Sequence, residues 1–227
     1  MKFVTSPGTR GPLPRTAGLV MLAVIAAGLG GCAVSSGGSH ATASGLGHSV
    51  APPASNGGGL EGGLVVSSPV RAPTLRLVSY AHRAPVSISS MRGRAVFVTF
   101  VYTHCPDVCP LIVSELAAAQ RALGAAAREA RFVAVTVDPR RDTPAAVRAF
   151  LAARGALGRV DYLLGTRPAV ARVWRAWHVT IAPGGDGTLA HSSVVYGISG
   201  RGLLRIAYPA NFTPKQIVHD VPLLARS

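Results

Sequence analysis

Acidic residues are scarce in this chain. Nine Asp and Glu stand against 23 Lys and Arg in 227 residues, a formal excess of +14. Such an imbalance first raises nucleic acid as a partner, but the pattern for it is missing. The bases are almost all arginine and are scattered, without a basic stripe set among aromatics or along one helix. Without Lys2, Arg10 and Arg15 near the N-terminus the count falls to 20 against 9, and the excess to +11. That surplus suits anionic lipid headgroups or an acidic protein face, or reflects codon usage alone. Cysteine is scarcer still, with only Cys32, Cys105 and Cys109. A bridge between Cys105 and Cys109 would close too short a loop to restrain the unfolded chain much. The close pair therefore points to chemistry rather than to a staple. There is no internal repeat.

The N-terminus is basic at Lys2, Arg10 and Arg15, then uncharged from Thr16 to Ser39, with an apolar core from Gly18 to Leu29. That is a secretory signal pattern, assigned to residues 1–31. The apolar core is short of the about 20 residues that a membrane span needs. Leu29-Gly30-Gly31-Cys32 resembles a lipobox, with Cys32 the residue to be lipidated. An uncleaved anchor is the competing reading, and both leave the domain outside the cytoplasm and tethered to a membrane. Residues 32–68 are rich in Gly, Ser and Ala and read as a flexible tether. His40 and His48 within it read as stray linker histidines.

Residues 69–227 are long enough for one domain with a real core. Thr74–Val78 and Ala84–Ile88 read as a short hairpin. Arg94–Tyr102 is a nearly continuous apolar run, the mark of a buried central strand. Ile112, Leu116, Ala119 and Leu123 share one face of a helix entered at Pro110. Arg131–Val137 and Val160–Leu164 read as strands. Thr143 and Pro144 open a helix between them, and Val170, Val173, Trp174 and Trp177 belong to another, with both tryptophans in the core. Ser192–Ile198 and Leu203–Tyr208 flank a turn. Thr213 and Gln216 form a capping box for a last helix that Pro222 should kink or end. Strands and helices in this order predict an α/β, thioredoxin-like fold with a central mixed sheet flanked by helices.

Between the central strand and its helix lies Tyr102-Thr103-His104-Cys105-Pro106-Asp107-Val108-Cys109-Pro110. Thioredoxin-like folds keep reactive thiols in such a loop. The C-x-x-x-C spacing, one residue longer than C-x-x-C, lets two thiolates share a soft metal ion. A helix start should lower the thiol pKa of Cys109, and Cys105 should be the more exposed of the two. Two thiolates and an imidazole suit Cu(I). A structural zinc site normally needs a fourth ligand that is not evident. A peroxiredoxin gives no reason for a second cysteine four residues on. The imidazole must come from elsewhere, and the sequence offers seven histidines. His104 should point away from a shared ion, His178 to bond locally, and His82 and His219 lie apart. His191 follows a Gly-rich loop and opens a strand. Asp138 ends a strand at the edge where such folds keep their site, and either orients the site or only turns the chain before Pro139. Asp107 reads as a helix cap. Arg140, Arg141 and Asp142 read as a solvated helix entrance.

Three motifs carry a family resemblance: Phe100 to Pro110, Val137-Asp138-Pro139-Arg140-Arg141-Asp142-Thr143-Pro144, and His191-Ser192-Ser193. Together they resemble the SCO/SenC family over roughly residues 73–224. The resemblance implies a thioredoxin fold and copper as the bound metal, held by Cys105, Cys109 and His191. It implies delivery of copper to the dinuclear copper site of cytochrome c oxidase, with subunit II of that oxidase as partner. Two other functions use the same residues. One is a thiol–disulfide oxidoreductase, with Cys105 and Cys109 as its catalytic pair. The other is a copper-responsive binding protein with no delivery role.

Overall fold

The computed structural model describes residues 59–227. The signal segment, Cys32, His40, His48 and most of the tether lie outside the described residues. In chain order the strands are β1 (Leu64–Arg71), β2 (Arg76–Ser79), β3 (Pro85–Ser87), β4 (Ala95–Val101), β5 (Ala130–Thr136), β6 (Asp161–Leu164), β7 (Ile181–Pro183), β8 (Leu189–His191), β9 (Val194–Ile198) and β10 (Leu203–Pro209). The helices are α1 (Val108–Ala122), α2 (Pro144–Ala152), α3 (Arg167–Ala176) and α4 (Pro214–Arg226). Eight strands form one mixed sheet in the order β1-β10-β9-β4-β5-β6-β2-β3, and β7 and β8 form a separate two-stranded ribbon.

Every residue of β4 is buried, as suits the nearly continuous apolar run of a strand covered on both faces, and the one polar side chain, Thr99, donates to the Val194 carbonyl at 3.0 Å. β4, β5 and β6 are parallel, and α1 connects β4 to β5 while α2 lies between β5 and β6. Such neighbours need crossovers of this kind. The outer strands are antiparallel: β9, β10 and β1 on one side, β2 and β3 on the other. Phe97 and Phe100 project to opposite faces of β4. Phe97 stacks on Phe132 at 5.2 Å and lies 6.1 Å from Tyr208, whose hydroxyl donates to Asp220 of α4 at 2.6 Å. On the other face Phe100 meets Trp177, just past α3, at 5.8 Å and Tyr196 at 6.4 Å. The expected sheet flanked by helices is therefore present, with its core on both sides of β4.

Four details differ from the sequence reading. Paired chain begins inside the stretch expected as tether, because Leu64 and Val65 pair with Ala207 and Ile206. An edge strand with one neighbour tolerates Pro69 and the irregularity between Val65 and Val70, so β1 carries few strand signals. α1 starts at Val108, which puts Cys109 inside its first turn. Pro222 neither ends nor interrupts α4, which runs on to Arg226. Trp177 is 3% exposed, but Trp174 is only half-buried and is not wholly a core residue.

Candidate metal centre

The loop leaving β4 folds back over the strand end, with the Cys105 amide donating to the Tyr102 carbonyl at 3.3 Å. Asp107 holds the position before α1, yet its side chain makes no capping bond. The Cys109 amide donates instead to the Cys105 sulfur at 3.4 Å. Sulfur thus satisfies a helix-start donor that a carboxylate was expected to satisfy. Both cysteines are free thiols. Cys105 is 9% exposed and Cys109 0%, so the expected order of exposure holds but neither thiol stands open.

Burial overturns one expectation. The Cys109 thiol is pushed far up from its ordinary pKa, first by desolvation and then by its hydrogen bond with Cys105. The helix-start field favours the thiolate, but loss of hydration outweighs it in a site this dry. Cys109 therefore keeps its proton until a soft cation displaces it.

His191 does not open a strand as expected: it ends β8, with β9 beginning only at Val194, and from there its ring reaches Cys109, 82 residues away in sequence. Its Nε2 lies 3.8 Å from Cys109 Sγ, and its Nδ1 lies 3.0 Å from the Ser192 carbonyl. A carbonyl only accepts, so Nδ1 carries the proton and Nε2 presents its lone pair to the sulfur. Burial lowers the pKa of His191, with the Ser192 bond as the smaller, opposing influence. The ring is thus held neutral and in the tautomer a metal requires. A d¹⁰ ion with bonds of about 2.3 Å to sulfur and 2.0 Å to nitrogen spans donors up to about 4.3 Å apart. The 3.8 Å separation fits between them. Among the described residues no three His, Cys, Asp or Glu side chains form a preformed cage. The close approaches are pairwise, Cys109 to His191 and Cys105 to the Cys109 amide.

The supporting side chains were mostly missed in the sequence. Asp142 is 3% exposed and is not part of a solvated helix entrance. Its Oδ1 accepts from the Thr103 amide at 2.9 Å and hydroxyl at 2.8 Å. Its Oδ2 accepts from the Thr136 hydroxyl at 2.6 Å and the Tyr162 hydroxyl at 2.7 Å. The motif loop, the end of β5 and β6 are thereby joined at one buried carboxylate. A signal existed: Thr143 caps α2 through the Ala146 amide at 3.2 Å, which leaves Asp142 no local task. Asp138 pairs with Arg141, whose Nη2 donates to the Gly187 carbonyl at 2.9 Å. Asp138 therefore bears on the β7–β8 ribbon through Arg141. Tyr102 holds the same ribbon, with its hydroxyl accepting from the Leu189 amide at 3.1 Å. Its ring meets the His191 ring edge-on at 6.0 Å.

The other described histidines stay apart from the sulfurs. His104 is exposed, with Nδ1 2.9 Å from the Thr103 hydroxyl. His178 is exposed just past α3, and its amide bonds locally to Arg175. His219 lies beside Asp220 and Glu61, where the Asp220 hydrogen bond raises its pKa. The amide of His82 donates to Ser79.

Known proteins share this architecture. The family model described as SCO1/SenC matches residues 77–226. The mitochondrial SCO2 homolog of Bos taurus is 31% identical over 148 residues, covering 62% of this chain and 55% of that protein. SenC of Rhodobacter capsulatus is 31% identical over 130 residues, covering 55% and 57%. The chain thus spans about half the length of these curated relatives. The structure of Bradyrhizobium japonicum ScoI with copper bound matches with a TM-score of 0.60 at 26% identity, over 68% of this chain and 99% of that one.

Proposed function

The chain belongs to the SCO1/SenC family, and on that premise we propose that it carries copper outside the cytoplasm and passes it to the dinuclear copper site of cytochrome c oxidase, on subunit II, during assembly. Copper is the cargo, held by Cys105, Cys109 and His191. The observation that carries this reading is the 3.8 Å approach of His191 Nε2 to Cys109 Sγ, with Nδ1 already committed to Ser192. Two soft sulfurs and one nitrogen in a site shielded from water suit Cu(I). Transfer through thiolates shared with the recipient releases no free ion. The relative solved with copper bound supports the choice of metal. Lipidation at Cys32 supplies the tether to the membrane. Blocking it by Cys32→Ala should abolish lipid labelling and leave an unprocessed precursor. An unlabelled wild type with unchanged processing would favour the uncleaved anchor.

Thiol–disulfide exchange is the second reading, favoured by the contact of the Cys105 sulfur with the Cys109 amide, a donor that stabilises a thiolate. In it a Cys105 thiolate attacks a recipient disulfide, and Cys109 resolves the mixed disulfide. The recipient leaves as a dithiol and Cys105–Cys109 is oxidised to a disulfide. The protonated, buried state of Cys109 disfavours the resolving step. One experiment separates the two readings. The reduced protein is titrated with Cu(I) against a competing chelator, as wild type and as His191→Ala, and both are assayed for oxidase maturation in a deletion strain. Copper delivery predicts that the variant keeps disulfide exchange but loses tight binding and maturation. Full maturation by a stable His191→Ala protein would put reduction first.

A further inference from the structure

A cleft of about 690 Å³ opens beside the ribbon that carries His191. Its rim includes Arg140 and Arg141 from the loop after β5, and Arg167 and Arg175 from α3. All four arginines are exposed. Among the described residues Asp138 is the only acidic side chain lining it, and that carboxylate is already paired with Arg141. No ion pair among the described residues engages Arg140, Arg167 or Arg175. Three like charges around one concavity repel one another and focus a positive field into it, which an anionic partner relieves.

The interior of the cleft is apolar. Trp174 lies there half-buried, its indole N–H donating to the Thr136 carbonyl at 3.0 Å, so its orientation is fixed. Ile181 and Leu189 add the ribbon's side of the wall. Ile181 is paired with His191 across the ribbon, and Leu189 precedes His191 by two residues. A ligand seated here would therefore touch the element that positions the proposed metal donor. A flat bilayer meets convex surfaces, whereas a concave site with a fixed aromatic and a cationic rim suits a chain segment that offers carboxylates and an apolar side chain.

We propose that this cleft docks an acidic, partly apolar segment of the protein that exchanges metal with Cys105, Cys109 and His191. The assignment of that protein as the metal's recipient rests on the copper-transfer reading; the chemistry of the segment rests on the cleft alone. Docking places the recipient beside the ribbon and supplies specificity from residues that hold no metal.

The test uses the full chain in neutral detergent and a fluorescent peptide of alternating Glu and Leu, with a Gln-for-Glu peptide as control. Wild type should bind the Glu peptide, with binding that weakens as salt rises. The triple variant Arg140→Gln, Arg167→Gln, Arg175→Gln should bind about tenfold more weakly or worse, and Arg140→Gln alone about threefold. Equal melting temperatures guard against misfolding of the triple variant, and the single loop variant keeps the test open if α3 is disturbed. Equal binding by wild type and both variants, or equal binding of the Glu and Gln peptides, would overturn the proposal. Arginine-dependent binding to phosphatidylglycerol vesicles without peptide binding would overturn it in favour of a membrane. Cu(I) retention against a chelator is measured in parallel and should be the same in all three proteins. If wild type fails to retain Cu(I), the metal reading falls, and the peptide titration still decides the cleft by itself.

Discussion

Asp142 accepts four hydrogen bonds from three separate segments, so truncating it strands the Thr103 amide and the Thr136 hydroxyl, while the Tyr162 hydroxyl keeps the Val101 carbonyl at 3.2 Å and the Thr103 hydroxyl keeps His104 Nδ1. Each stranded donor costs about 1–3 kcal/mol, though relaxation of the loop recovers part of the sum. Asp142→Ala should therefore lose about 3 kcal/mol or more in urea unfolding. Tyr162→Phe, which removes one donor and leaves the carboxylate its other three, should lose about 1 kcal/mol. Similar losses for both variants would mean that the carboxylate is not the hub. The two facing donors of the centre have pKa values shifted in opposite directions, and at each of them protons compete with the metal. Cys109 has a raised pKa, so through the neutral range a bound cation must displace its proton. Raising the pH weakens that competition, and Cu(I) affinity should rise roughly tenfold per pH unit for one displaced proton. His191 has a lowered pKa, so acid must reach below the usual histidine range before a proton occupies Nε2. In the metal-free protein the unfolded chain takes up that proton first, and stability is lost as pH falls through this window. Chelator competition at about pH 6, 7 and 8 checks the first claim. A flat profile would mean that Cys109 is ionised before metal arrives.

The β7–β8 ribbon depends on side chains for its attachment more than the main strands do. Three-residue strands pair only with each other, and Tyr102 and Arg141 reach across to hold them. Tyr102→Phe keeps the ring and removes the acceptor for the Leu189 amide. That amide should then exchange with solvent faster, and Cu(I) affinity should fall by about five- to tenfold, the equivalent of one ordinary hydrogen bond of about 1 kcal/mol. Disulfide exchange at Cys105 should be unaffected. Unchanged exchange at Leu189 would deny Tyr102 this positioning role. Reading the sequence located the elements that announce themselves locally. β4 was legible because six apolar residues in seven, interrupted only by Thr99, admit few other fates, and α2 because Thr143 and Pro144 mark its start. Cys105 and Cys109 were legible as a pair because spacing and flanking elements lie within ten residues. What escaped was every interaction whose partner is distant. Thr103 and Asp142 are 39 residues apart, and Tyr102 and Leu189 are 87 apart, so no local pattern links them. Histidine choice suffered in the same way, since family resemblance rather than spacing singled out His191. The protonation of Cys109 was misjudged because the helix start is visible in sequence and the dryness of the site is not.

For the molecule as a whole, the proposed cargo would tie together parts of the chain that folding leaves loosely joined. Cys109 and His191 are 82 positions apart, and one belongs to the core helix while the other belongs to the ribbon. Binding restricted to the folded state stabilises it by about 2.7 kcal/mol when free metal exceeds Kd about 100-fold. For a domain of this size that raises Tm by about 5–10 °C. Calorimetry of wild type with and without Cu(I) should record the shift, and hydrogen exchange should slow most across residues 181–191. His191→Ala should forfeit most of both effects; an undiminished shift in that variant would remove the ribbon from the site. No helix among the described residues is long and apolar enough to cross a membrane. The division between a stiff sulfur loop and a lightly fastened ribbon also sets a clock. Both thiols sit on a loop and helix packed into the core, whereas an isolated two-stranded ribbon is marginal by itself. Departure of the metal would then begin with the imidazole swinging clear, giving an incoming donor its opening while both sulfurs still grip. The rate constant of release would follow the opening frequency of the ribbon, so loosening Tyr102 should shorten the residence time of the cargo while leaving its rate of capture nearly unchanged.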